Sequence, residues 1–128
     1  MTKFVFDSWA WMEYLDASKK GEVVRSIIEN SHNEVYSSAV SVAEVVSKCI
    51  RTSRSSEVGL QAINSLSKII FINDEIAAEA GRIHADFRKT IIDFGLADAF
   101  VIATAAKLNA RIVTGDPHFK KVKGVMLL

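Results

Sequence analysis

Residues 96–116 read Leu96-Ala-Asp98-Ala-Phe-Val-Ile-Ala-Thr-Ala-Ala-Lys107-Leu-Asn-Ala-Arg111-Ile-Val-Thr114-Gly-Asp116. Positions 97–108 are apolar nearly all round, which marks a helix buried on every side rather than a surface helix. Residues 111–114 then form a short β-like run, and an acid follows two positions later. The same alternation extends outward through the chain. Runs rich in Val, Ile and Phe occur at 3–6, 34–37, 69–72, 111–114 and 124–128. Two of them are continuous apolar runs, as expected of strands covered on both faces. Between them, helical spacing is predicted over 17–31 (Val23, Val24, Ile27, Ile28), 39–52 (Ala39, Val42, Ala43, Val46, Cys49, Ile50) and 54–68 (Val58, Leu60, Ile63, Leu66). A further helix is predicted from Asn73-Asp74-Glu75, a capping residue followed by acids at the positive end of the dipole, to about Lys89. Strand–helix alternation of this kind predicts an α/β fold: a five-stranded, mainly parallel sheet in a three-layer arrangement with helices on both faces.

Composition narrows the function classes. The chain has 128 residues, 49% of them hydrophobic, with six Gly and one Pro, which excludes a disordered tail, a collagen-like repeat and a disulfide scaffold. No low-complexity tract or linker interrupts it, so one domain over 1–128 is expected. A single cysteine, Cys49, rules out an internal disulfide and suits a reducing cytoplasm. A carboxylate at residue 7 leaves no room for a signal-peptide apolar region, and no apolar run approaches the ~18 residues of a membrane helix, so no membrane association is expected. The net charge of +1 advertises no nucleic-acid partner, although Lys107, Arg111, Lys120, Lys121 and Lys123 face only Asp116 within 107–124. On charge alone that segment is either an electrostatic footprint or an ordinary solvated face.

Open parallel sheets bind ligands at the carboxyl ends of their strands, where strand order reverses. Asp7 directly follows the first predicted strand, and Asp116 follows the fourth by two residues. Glu44 and Asp98 interrupt apolar helical surroundings, and a buried acid must be paired, protonated or bound to a cation. Each acid also has a plain structural explanation. Asp7-Ser8 and Asp98 suit helix caps, Asp116-Pro117 starts a type I turn, and Glu44 is spaced to pair with Lys48. Were the four to converge, carboxylates ~5 Å apart at an effective dielectric of ~20 would repel by about 3 kcal/mol per pair. A hard divalent cation relieves that repulsion.

These residues resemble those of PIN-domain nucleases, and more narrowly of VapC-type toxins from toxin–antitoxin pairs. Phe4-Val5-Phe6-Asp7-Ser8 looks like the family's opening strand, first acid and hydroxyl, and Ser41-Val-Ala-Glu44 like its second-acid helix. Leu96-Ala-Asp98-Ala-Phe-Val-Ile-Ala-Thr-Ala105 is similar to the third-acid segment, and Val113-Thr114-Gly115-Asp116-Pro-His-Phe119 to the fourth. The resemblance implies a metal-dependent endoribonuclease with Asp7 and Asp98 as principal Mg²⁺ or Mn²⁺ ligands. It implies that Glu44 and Asp116 complete the cluster, with Ser8 and Thr114 as supporting hydroxyls. It further implies an RNA substrate, a homodimer and an inhibitory protein antitoxin. Gly115 departs from the pattern, because many relatives carry a basic residue there, which predicts weaker phosphate contact at that point. The other readings compatible with the pattern are an RNA-processing nuclease without an antitoxin and an inactive PIN-like binding module. A phosphoacceptor receiver ranks below these, since only Asp7 follows the first strand.

Other signals are set aside at this level. Trp9 and Trp11 are assigned to core or dimer contacts in preference to base stacking. Lys48, Arg51 and Arg54 suit a solvated helix face as well as a phosphate track. Asp93 is expected to be a loop or capping residue. His118, beside a turn, is assigned no role, and Cys49 is expected in the core.

Overall fold

A computed structural model describes residues 1–128. Its elements are β1 (Thr2–Phe6), α1 (Ser8–Leu15), α2 (Lys19–Glu29), β2 (Asn33–Ser38), α3 (Ala39–Arg51), α4 (Ser56–Leu66), β3 (Lys68–Ile70), α5 (Asp74–Phe87), α6 (Leu96–Leu108), β4 (Arg111–Thr114), a 3-10 turn (Pro117–Phe119) and β5 (Val125–Leu127). The sheet has five strands in the order β3-β2-β1-β4-β5. Every pairing is parallel, which sharpens the expected mainly parallel sheet. Chain order reverses at β1, so the carboxyl ends of β1 and β4 lie side by side.

Alternation along the strands explains the two faces. Phe4, Phe6 and Val113 point to one side, where they pack with Trp11, Val24, Val45 and Ile63 from α1 to α4. Val5 and Ile112 point to the other and meet Val101 and Ala105 of α6. Helix α5 covers α6 through Ile76 and Ala80 against Ala99 and Ala103. Because α6 lies between the sheet and α5, it is apolar all round, as its sequence indicates.

Three expectations need adjustment. Ser8–Leu15 is a separate helix, capped by Asp7, whose range the apolar spacing did not delimit. On α3 and α4 the inward faces are rotated from those predicted: Ser41, Val45 and Cys49 are buried on α3, and Gly59 and Ile63 on α4. Ile50 and Val58, expected inside, stand in solvent. The third strand ends at Ile70, and Phe71 is 81% exposed.

Candidate active site

The ends of β1 and β4, the first turn of α6 and the second turn of α3 meet at the same place. Asp7 leaves β1 and caps α1: its Oδ1 accepts a hydrogen bond from Ala10 N at 2.9 Å, and its Oδ2 accepts one from the Thr114 hydroxyl at the end of β4. The Thr114 hydroxyl oxygen in turn accepts from Asp116 N at 3.0 Å. Asp116 caps the 3-10 turn through His118 N at 2.9 Å. Asp98, in the first turn of α6, accepts from Gly95 N at 3.3 Å. Glu44, on α3, is half-buried, with Ser8 beside it lowering its carboxyl pKa. Thus the capping explanation holds for Asp7, while Asp116, expected to start a turn, caps the 3-10 turn, and Asp98 is not an N-cap but lies one turn into α6, whose N-cap is Gly95. Glu44 faces Ser8 instead of forming an ion pair with Lys48.

The electrostatics are those of like charges crowded out of water. Asp7 is 4% exposed, and burial pushes its carboxyl up to about 7; hydrogen bonds from Thr114 and Ala10 oppose the shift, while the charges of Asp98 and Asp116 add to it. Burial, then the charges of Asp116 and Glu44, raise Asp98 to about 6. Glu44 is also raised, by burial and then by Asp116, against the lowering effect of Ser8. The structure therefore brings Asp7, Glu44, Asp98 and Asp116 within electrostatic reach of one another.

The tightest grouping is Asp98, Asp116 and His118, each offering a ligand atom within 4.8 Å of the others. Asp7 and Glu44 flank this trio. His118 is a residue that the sequence reading set aside. Its Nδ1 lies 3.4 Å from Asp116 and its Nε2 3.1 Å from Asp93, which is otherwise an exposed loop residue. The available signal was the Asp116-Pro-His order, which places an imidazole within one turn of a capping acid. The donor set, three or four carboxylates and one imidazole, suits a hard divalent cation such as Mg²⁺ or Mn²⁺.

The two tryptophans separate. Trp11 is buried, edge-on to Phe6, with its indole N–H donating to Ser37 Oγ at 2.9 Å. Trp9 is 40% exposed and is not a core residue; it lies on Gly115, where a β carbon would sit 2.7 Å from its Cδ1. A larger residue at 115 would displace the ring, so the missing basic residue and Trp9 are linked by sterics.

A family model describing the PIN domain matches residues 4–125. No curated protein sequence matches the chain. Among solved structures, Mycobacterium tuberculosis VapC20, described as a sarcin-ricin loop cleaving toxin, is similar with a TM-score of 0.74 and 14% identity over 95% of this chain and 96% of that one. VapBC2 from Rickettsia felis, bound to a DNA fragment from its promoter, gives 0.72 and 16% identity over 99% and 98%. A toxin–antitoxin complex from Klebsiella pneumoniae gives 0.71 and 19% identity over 95% and 94%. At these identities the likeness is one of fold.

Proposed function

This chain belongs to the PIN domain family, and from that premise we propose that it is a metal-dependent endoribonuclease, the toxin of a type II toxin–antitoxin pair. One observation carries the reading. Acids separated by more than a hundred residues in sequence meet at the carboxyl edge of β1 and β4, with Asp7 raised to about 7 and Asp98 to about 6. A fold does not gather mutually repelling carboxylates out of water for stability, so a cation is the natural partner.

Asp98 and Asp116 would hold Mg²⁺ or Mn²⁺, with His118 beside them and Asp7 and Glu44 completing the set. Such a cation supplies a water of lowered pKa and neutralises charge on a scissile phosphate. The protein's own contribution is orientation. Thr114 and Ala10 N fix both oxygens of Asp7 while leaving lone pairs on each. The Ser8 hydroxyl stands beside Glu44, and His118 lies between Asp116 and Asp93 at 3.4 and 3.1 Å. Asp7 and Asp98, both raised, would have to be deprotonated to serve as the cation's ligands. An antitoxin partner is part of the proposal, supported by the fold shared with toxin–antitoxin assemblies, and a homodimer is part of it on the family resemblance alone.

Purified protein incubated with RNA and Mn²⁺ or Mg²⁺ should cut internally. Asp7→Asn and Asp98→Asn should each reduce the rate by at least ~100-fold, as removal of a principal charge-stabilising group does. Cleavage that persists in both variants would sink the site assignment.

A further inference from the structure

A groove of about 460 Å³ opens between α1 and α3, beginning at Ser8 and Glu44 on the acidic cluster and running past Lys48 and Arg51 to Arg54. Glu44, Lys48 and Arg51 stand at i, i+4 and i+7, so they form one stripe along α3 that changes sign with distance from the acids. Helix rise puts the two cations about 6 and 10 Å beyond Glu44. The three basic groups are not equivalent. Arg54 is matched by Asp16 at 2.8 Å, whereas the Arg51 Nε donates only to the Ser47 hydroxyl at 3.2 Å, and Lys48 is exposed without an acidic partner. Trp9 forms the wall nearest the acids, and its half-exposed indole rests on the Gly115 backbone, 2.7 and 3.0 Å from where a β carbon would stand. An aromatic ring held against backbone at the lip of a charged groove is already fixed before any ligand arrives.

We propose that the α1–α3 groove is the path of a single RNA strand, with Lys48 and Arg51 holding its phosphates and Trp9 stacking on the base beside the acids. The inference rests on the nuclease reading and gives that site a direction of approach. Phosphate contact needs cations free of acidic partners, which Lys48 and Arg51 are. Stacking needs an unpaired base, which selects single-stranded over duplex RNA.

Binding of a fluorescein-labelled RNA strand of about ten nucleotides, measured by anisotropy in EDTA at low ionic strength, separates contact from cleavage. Lys48→Gln with Arg51→Gln should weaken binding by ~10-fold or more and reduce the slope of log K against log salt by about 1.4. Trp9→Ala should cost roughly tenfold, Trp9→Phe should retain most of the affinity, and a duplex should bind less tightly than the strand. With Mn²⁺, the Lys48 and Arg51 losses should fall on KM more than on kcat. Lys120→Gln with Lys121→Gln serves as the comparison surface and should change little. If the wild type binds and cuts RNA while the groove variants keep their affinity and salt slope, the inference falls and the nuclease reading stands. Equal affinity for duplex, or Trp9→Phe as weak as Trp9→Ala, removes the stacking role. Normal RNA binding with loss of a co-purifying protein would make the groove a protein-docking surface and overturn the inference. If the wild type neither binds nor cuts, both readings fall.

Discussion

Asp7 serves two ends at once, since the carboxylate that caps α1 also stands in the acidic cluster. Its raised folded-state pKa has a definite sign in stability. Between about 4, where the unfolded carboxyl titrates, and about 7, the folded state binds more protons than the unfolded one, so metal-free stability falls as pH rises and then levels. Asp98 acts in the same direction up to about 6. Asp7→Asn should therefore leave stability near pH 4 almost unchanged. At pH 8 it should raise stability in EDTA by on the order of a few kcal/mol, flattening the calorimetric profile. Superimposable profiles for the two proteins would contradict the raised pKa. Ser41 offers a second residue-scale test. Its hydroxyl is the one buried side-chain polar atom without a hydrogen-bond partner, so Ser41→Ala should stabilise by about 1 kcal/mol in chemical denaturation. Both acids at strand ends were legible in the sequence because capping and site chemistry use the same residue types. His118 and Trp9 were not, because their roles depend on Asp93 and Gly115, which only the folded chain brings to them.

Elements were legible where one force dominates. Helix α6 was clear because it lies between the sheet and α5 and is apolar on nearly every face, and the strands because their runs are rich in Val, Ile and Phe. On α3 and α4 the apolar residues outnumber the inward positions, so composition alone could not choose the face. Small residues settle it, since Gly59 lets α4 approach Cys49 and Val45, where a β carbon would meet them at 3.2 and 3.3 Å. Gly21 plays the same part between α1 and α2: a β carbon there would come within 2.7 Å of the Glu13 carbonyl carbon. Backbone cannot yield as a side-chain tip does. Gly21→Ala should cost about 1–3 kcal/mol through overpacking, despite the better helix propensity of alanine. Gly81, on α5, has nothing within 4 Å of the same position, so Gly81→Ala should stabilise by roughly 0.5–1 kcal/mol. Melting temperatures moving in opposite directions for the two substitutions would establish that helix contact, not propensity, governs Gly21.

For the whole molecule, the reversal of strand order at β1 is what turns scattered acids into a cluster, because it sets β4 beside β1 and so Thr114 against Asp7. Only the parallel alternation was readable in advance; the neighbour relation comes from the fold. The cost of that arrangement is repulsion, and a cation that removes it must displace protons. Asp7 at about 7 and Asp98 at about 6 imply that binding near pH 6 releases more than one proton, and that binding near pH 8 releases almost none. Titration calorimetry of Mn²⁺ in two buffers of different ionisation enthalpy reads this number directly. Apparent affinity should weaken as pH falls, and the melting temperature should rise with millimolar metal near neutrality and much less near pH 5. A heat of binding independent of buffer at pH 6 would mean that the cation sits away from these acids, and a metal-induced rise in melting temperature of the same size at pH 5 and pH 8 would mean the same.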